Sequence, residues 1–311
     1  MPLDIVGLGL ATLDILIRLS DLPTWEHGVG CSAVGLDGGG PVGTACVAAA
    51  RLGARVGFVG TAGNDQLAAL KTQSFAEDNV DLSCLRRRDG PEDQVVIVYV
   101  NQDTGERVFS GLHSFERRPL QVDELDRAYI TSASYLHLDG THPEAAQQAA
   151  QWMHAAGKLV SLDCAKSDGV SIWGNLRELV PYADILICGS GFGRALTGHA
   201  GHWQAGEAML SLGPKIVVQT EGKAGSYTQT ADERFHIPAF GVEVLDTTGA
   251  GDVFHGAYLV GLLHGWDLRT VSAFATAVSA IKCTHLGGRR GIPTFAQTLA
   301  FLKERGYEIN N

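Results

Sequence analysis

Asp252 has the neighbours that a catalytic carboxylate would need. It stands in Asp246-Thr247-Thr248-Gly249-Ala250-Gly251-Asp252-Val253-Phe254-His255-Gly256-Ala257, between a short extended run (242–245) and an apolar segment (257–263) that reads as a buried helix. Two glycines flank an alanine where that helix should begin, so its first-turn amides carry no shielding side chains. Unpaired amides at a helix start attract anions, and the macrodipole adds roughly 0.3–1 kcal/mol near the surface. A carboxylate in such a turn repels what the backbone attracts. Taking the proton of a hydroxyl that attacks a bound phosphate would give it a purpose. Capping the helix is the alternative; the Gly-Ala-Gly run, with Asp246 and two threonines upstream, favours phosphate chemistry.

A second glycine cluster, Gly38-Gly39-Gly40-Pro41-Val42-Gly43-Thr44, precedes an alanine-rich helical pattern at 45–53. It either lets a ligand approach the backbone or is an ordinary loop before a tightly packed helix. Gly7-Leu8-Gly9-Leu10-Ala11-Thr12 half matches the dinucleotide fingerprint, but Thr12 replaces the third glycine and 13–19 alternates as a strand. That reading is rejected. Asp14 is polar among apolar neighbours, which by alternation alone reads as the exposed face of that strand.

The elements that must carry these residues follow from pattern. From residue 133 onward, strand-like runs at 135–138, 159–163, 185–188 and 216–220 alternate with helical patterns at 144–156, 173–180 and 203–212. Such alternation predicts an α/β fold with a doubly wound, mainly parallel sheet and sites at the strand carboxyl ends. Those ends carry Asp139-Gly140, Asp163, Cys188-Gly189 and Thr220-Glu221-Gly222. The last third is helical, at 249–264, 268–285 and 294–303. Earlier, 4–10 and 56–59 read as strands and 66–76 as a helix. Strands at 94–100 and 107–110, joined by Asp103-Thr104-Gly105, add to those at 13–19 and 30–36. These are too many for an alternating core, and predict a small β-sheet lid inserted at about 13–36 and 93–112 of a single 1–311 domain.

Composition narrows the classes. The 311 residues are 45% apolar and 19% charged, which excludes a disordered or collagen-like chain. Lys plus Arg is 24 against 34 for Asp plus Glu, and the net charge of −10 disfavours nucleic acid as the main partner. The runs Arg86-Arg87-Arg88, Arg117-Arg118 and Arg289-Arg290 read as solvated surface. Cys31, Cys46, Cys84, Cys164, Cys188 and Cys283 are scattered without a C-x-x-C pair, as free thiols in a reducing compartment would be. Met1 leads into a strand without a basic leader, and no stretch approaches 18 apolar residues. A soluble, cytoplasmic protein without a membrane partner is the expectation.

Together these residues closely resemble the ribokinase (phosphofructokinase B-type) carbohydrate kinase family across essentially the whole chain. Residues 246–257 match its C-terminal signature, and 38–53 look like its N-terminal one, with Thr44 where asparagine is usual. The triple glycine, Thr44 and Lys282-Cys283-Thr284…Gly287-Gly288-Arg289…Gly291-Ile292-Pro293 look most like the sulfofructose kinase branch. The resemblance implies a ribokinase-like fold that moves the γ-phosphoryl of ATP to a sugar hydroxyl, a primary alcohol, with Mg2+. By that resemblance Asp252 is the catalytic base, and the amides of Gly249, Ala250 and Gly251 form the anion hole. Asp14, Gly39, Gly40 and Thr44 fall on sugar-contacting positions. Thr220, Gly222 and Gly225 fall at the nucleotide, and Thr276 replaces an asparagine beside the nucleoside. Asp246 and Thr248 match ligands of a monovalent cation, which implies K+ activation.

The family's Asn-x-x-Glu is absent, replaced by Gly189-Ser190-Gly191-Phe192. Mg2+ would then ride on the ATP phosphates, since it keeps several waters. Asp163 is the candidate to hold those waters and Lys166 to reach a phosphate, each against the alternative of a surface residue near a loop. Gly28, Cys31, Gly111, His113, Gly140 and His142 are expected to shape the sugar pocket. Its glycines supply no cation for a sulfonate or phosphate, so a neutral ketose stays open beside sulfofructose. Lid strand edges imply a homodimer. A nucleoside kinase of the same fold and a sugar-binding regulator without catalysis remain as alternatives.

Overall fold

The computed structural model describes residues 2–111, 118–165 and 167–309; His113 and Lys166 lie outside them. The chain begins with Ile5–Leu8 (β1), Thr12–Leu19 (β2), Cys31–Gly39 (β3), Pro41–Arg51 (α1), Val56–Val59 (β4), Thr61–Ala62 (β5) and Gln66–Glu77 (α2). Arg86–Arg87 (β6), Val95–Asn101 (β7) and Arg107–Gly111 (β8) follow. Then come Arg127–Thr131 (α3), Tyr135–Leu138 (β9), Pro143–Ala155 (α4), Leu159–Cys164 (β10), Leu176–Leu179 (α5) and Ile185–Gly189 (β11). Phe192–Thr197 (α6), His202–Leu210 (α7), Ile216–Thr220 (β12), Ser226–Gln229 (β13) and Arg234–Ile237 (β14) precede three helices, Ala250–Leu263 (α8), Leu268–Lys282 (α9) and Phe295–Lys303 (α10).

The main sheet has eight strands in the order β14-β13-β12-β11-β10-β9-β1-β4, parallel from β12 to β4 with an antiparallel edge. Its strands are apolar on both faces because helices cover both. Ile5, Ile187 and Val218 pack with α1, α8 and α9, while Val6, Leu162 and Val217 pack with α4 and α7. This is the doubly wound layout expected from the alternation. Among the described residues, no helix is long and apolar enough to cross a membrane.

The second sheet, β3-β2-β7-β8, is built from the four runs that the alternating core could not absorb. Its inner face buries Leu16, Val98 and Val100 against Leu286. Cross-strand register places Leu36, Ile15 and Ile97 in one row of the opposite face and Val34, Ile17, Tyr99 and Val108 in the next. That face is apolar yet uncovered: Val34 is 68% exposed and Val108 50%.

Three boundaries differ from expectation. Strand β3 runs through Gly38-Gly39, which had read as loop, and α1 starts at Pro41, whose missing N–H costs nothing in a first turn. The helix expected at 173–180 is a single turn, because Pro181 turns the chain into the 3-10 segment Val180–Tyr182. The β13–β14 hairpin was not anticipated, since Ser226–Gln229 has too few apolar residues to signal a strand. Gly225 enters that hairpin at φ 91, and a Cβ there would lie 2.0 Å from the Ile237 carbonyl oxygen. Gly225→Ala should therefore lower stability by about 1–3 kcal/mol, measured by urea unfolding. A stability equal to the parent's would show that the turn relaxes freely.

Candidate active site

The start of α8 is set by its approach to the 285–293 segment. Gly249 caps the helix at φ 74, and a Cβ on it would meet the Gly288 oxygen at 2.9 Å. The Ala250 amide turns back to the Thr247 carbonyl at 3.2 Å. Of the three amides expected to form an anion hole, those of Gly249 and Gly251 are thus the ones without a partner among the described residues. A Cβ on Gly251 would meet nothing within 4 Å, so there is open space beside this residue. Ser279 of α9 donates to the Ala250 carbonyl and steadies the turn from behind.

The loop before it is organised by Asp246, which is fully buried. Its Oδ1 accepts the Thr248 amide at 2.8 Å and hydroxyl at 2.7 Å, and its Oδ2 accepts the Gly287 amide at 2.8 Å. The buried Lys282 ammonium donates to the Asp246 backbone oxygen at 3.0 Å. Burial pushes Lys282 below the usual lysine range, against the pull of the Asp246 charge. The Lys282 ammonium thus lies beside the backbone of Asp246, one of the two residues expected to hold a monovalent cation.

Two carboxylates flank the turn in unusual states. Asp252, half-buried in the first turn of α8, is pushed up to about 6 by burial and then by the Asp163 charge, against His255 and Arg107. Asp14 is buried rather than on an exposed strand face. Burial raises it to about 6 although Thr12 donates to it at 2.6 Å and Arg289 attracts it. Its carboxylate fills the space a Cβ on Gly39 would need, 2.2 Å from Oδ2. Arg107, exposed on β8, reaches the same turn and donates to Thr247 Oγ1 at 2.7 Å.

Arg289 corrects the reading of the basic runs as solvated surface. It is 1% exposed. Its Nη2 donates to the Gly39 oxygen at 2.6 Å, Nη1 to Ser74 Oγ at 2.7 Å and Nε to Thr44 Oγ1 at 3.4 Å, over the Phe75 ring. Asp37 accepts the Arg289 amide at 3.0 Å. Gly39 and Thr44, expected to touch sugar, thus also bind this guanidinium, and Thr44 is fully buried. Gly40, at φ 83, is the cap of α1. Arg86, Arg87 and Arg290 are exposed as read, and the partly exposed Arg88 and Arg118 pair with Glu124 and Asp93. Nothing local marks Arg289, because its partner Gly39 lies 250 residues earlier.

The remaining candidates are spread along the strand ends. Thr220, at the end of β12, donates to the Cys188 oxygen at 3.3 Å, and Thr276 donates to the Ser272 oxygen within α9 at 2.7 Å. Gly222 opens the turn that Gly225 closes. Asp163 ends β10 beside His255 Nε2 at 3.3 Å. Burial raises Asp163, but the His255 charge and hydrogen bond, with His137, prevail and hold it below the usual range. His142 is buried, its Nδ1 accepting the Leu120 amide at 3.1 Å, and burial lowers it to about 4. It is a hydrogen-bonded core residue in this structure rather than one lining an open pocket.

Known proteins share this layout. Residues 5–295 match the model of the pfkB family carbohydrate kinases. The chain is 26% identical to an ATP-dependent ribose-1-phosphate kinase of Halopiger xanaduensis over 97% of this chain and 98% of that one. It is 25% identical to a 5-dehydro-2-deoxygluconokinase of Clostridium beijerinckii, covering 100% and 94%. The ribokinase of Thermotoga maritima superposes with a TM-score of 0.81 at 25% identity, over 97% of this chain and 99% of that one. With a bare-amide turn, a raised carboxylate beside it and the family match along nearly its whole length, the chain belongs to the pfkB carbohydrate kinases and is an ATP-dependent carbohydrate kinase.

Proposed function

We propose that Asp252 is the general base for phosphoryl transfer from ATP to a hydroxyl of an acidic sugar. The observation that carries this reading is the Gly251 amide, without a partner among the described residues and with open space beside its Cα, next to a carboxylate raised to about 6. The transferred phosphate would lie against the Gly249 and Gly251 amides at the positive end of α8. Asp252 accepts the hydroxyl proton as the oxygen–phosphorus bond forms and the bond to the ADP oxygen breaks. Position and charge do most of the work. The nucleotide would lie along the end of β12, at Thr220, Gly222 and Gly225, and beside Thr276 of α9. Mg2+ suits this site as an ion carried on the ATP phosphates with its waters, because Asp163 is already engaged by His255. Asp14, with Gly39 and Gly40 close by, supplies the buried carboxylate for the sugar hydroxyls. The small sheet then acts as a lid that excludes water from the reaction.

Arg107 supports an acidic substrate. It brings an exposed guanidinium from the lid to the catalytic turn, where no pocket glycine could supply charge. By their names, the two relatives act on ribose 1-phosphate and on 5-dehydro-2-deoxygluconate, and both are anions. A sulfonated ketose, the substrate class of the sulfofructose kinase branch, would meet the same guanidinium. The uncovered apolar face of the lid supports a homodimer, in which each copy would hide the other's Val34, Leu36 and Val108. ATP chemistry and six free thiols fit a reducing cytoplasm.

Four outcomes test these assignments. Asp252→Asn should keep ATP binding and lower kcat by about 10²–10⁴-fold, while wild-type kcat/KM rises with a midpoint near pH 6. The folded pKa lies above the unfolded value of 3.8, so the native state loses stability as pH rises through that window. The same variant should therefore melt higher than wild type at pH 7.5 and lose that advantage near pH 4. Unchanged turnover would remove Asp252 from the mechanism.

In ADP-release assays with sugar acids, sulfonated sugars, sugar phosphates and neutral sugars, Arg107→Ala should raise KM for an anionic substrate by about 10- to 100-fold. It should leave neutral sugars unaffected; an equal change for both classes would rule out charge recognition. Replacing K+ by Na+ should leave kcat unchanged, because Lys282 already supplies the charge; strong K+ activation would return Asp246 and Thr248 to the role of cation ligands. Sedimentation should find two chains for wild type and one for Val108→Glu, and a wild-type monomer would discard the lid interface.

A further inference from the structure

Behind the catalytic turn, three buried side chains converge without a complete set of hydrogen bonds. His137 lies on β9, Asp163 on the neighbouring strand β10, and His255 on α8, three residues after Asp252. One donor atom from each lies within 4.8 Å of the other two, and no other such group occurs among the described residues. The three are 1%, 6% and 4% exposed. His255 Nε2 and Asp163 Oδ1 are 3.3 Å apart, and the two imidazole centroids 5.2 Å. Among the described residues, His137 Nε2 and His255 Nδ1 have no hydrogen-bond partner. Leaving a buried polar atom unpaired costs about 1–3 kcal/mol.

We propose that His137, Asp163 and His255 form a binding site for a divalent transition-metal ion of the zinc class. Metal–nitrogen and metal–oxygen bonds of about 2.0–2.2 Å at a tetrahedral centre put neighbouring ligand atoms roughly 3.3–3.5 Å apart. The Asp163–His255 separation already has that length, and a shift of up to about 1.5 Å in His137 brings in the third ligand. Ligation would use the His137 Nε2 lone pair, which nothing else among the described residues satisfies. Ser161 Oγ, 3.3 Å from His137 Nδ1, holds the other ring nitrogen in the way that outer hydrogen bonds orient metal-binding imidazoles.

Two nitrogens and one carboxylate favour zinc, cobalt or nickel over magnesium, which prefers an all-oxygen shell. Three protein ligands leave a fourth position for water. The ion would tie β9 and β10 to α8 one turn behind Asp252. The proposal concerns the fold beneath the catalytic turn and holds whether or not Asp252 is the base.

The test uses the full-length protein, stripped with a chelator and titrated with Co2+ and then Zn2+. Wild type should take up one equivalent of Co2+, with the intense visible bands of a four-coordinate ion. Zn2+ should displace it, whereas Mg2+ in 100-fold excess should not. His137→Ala and His255→Asn should lose the bands and the stoichiometric uptake while keeping the wild-type circular dichroism. Ser161→Ala should bind about 10- to 100-fold more weakly. If one histidine variant fails to fold, the other and Ser161→Ala still decide the matter. Absence of stoichiometric uptake by wild type, displacement by Mg2+, or full uptake by a folded histidine variant would overturn the proposal.

Discussion

A single buried guanidinium fixes the glycine-rich side of this kinase's candidate site. Arg289 joins the end of β3, the start of α1, α2 and the 285–293 segment, and each of these contributes a backbone or hydroxyl oxygen or packs against it. Burying an arginine is costly unless its charge and donors are met, and Asp37 and Asp14 supply the opposing charge. The glycines around it follow from that demand. A Cβ on Gly38 or Gly43 would come within 2.4 Å of the guanidinium. The glycine-rich stretch therefore has two jobs, accepting a buried cation from one side and leaving room for Asp14 on the other.

Charge around the catalytic turn is arranged in opposed pairs. Asp252 and Asp14 are raised by burial, while Asp163 is held down by His255 and His137. Groups of one chemical type thus take up their protons over different ranges of pH because of their surroundings. Lys282 and Arg107 act from opposite sides, one immobile beneath the Asp246 loop and the other exposed on the small sheet. The first is part of the scaffold, and the second bonds to Thr247 at the edge of the turn.

Much of this was legible from residue order. The parallel sheet follows from apolar runs spaced by helical patterns, and the turn at 249–252 from glycines placed where a helix starts. What escaped were interactions whose two ends lie far apart in the chain. Arg289 beside Arg290 looks like a solvated turn until Gly39 and Thr44 are brought to it. Asp14 looks like the polar face of a strand until β3 and Arg289 cover it. The pairing of Asp163 with His255 joins a strand end to a helix, and neither neighbourhood announces the other. The hairpin β13–β14 escaped for a different reason, since polar edge strands carry little hydrophobic pattern.

The register of the small sheet also shapes how the chain reaches this state. Strand β2 pairs in parallel with β7, Leu13 opposite Val95 and Leu19 opposite Asn101, while β1, β4, α1 and α2 are formed by the residues around and between them. During synthesis β2 must wait for β7 to emerge, with Leu16 lacking its partners Val98 and Val100 in the meantime. Long-range parallel pairing is slow, and exposed apolar strands are prone to associate wrongly. The small sheet is thus a late and vulnerable step of biogenesis, and the nascent chain's exposure to chaperones is set by where β7 falls in the message.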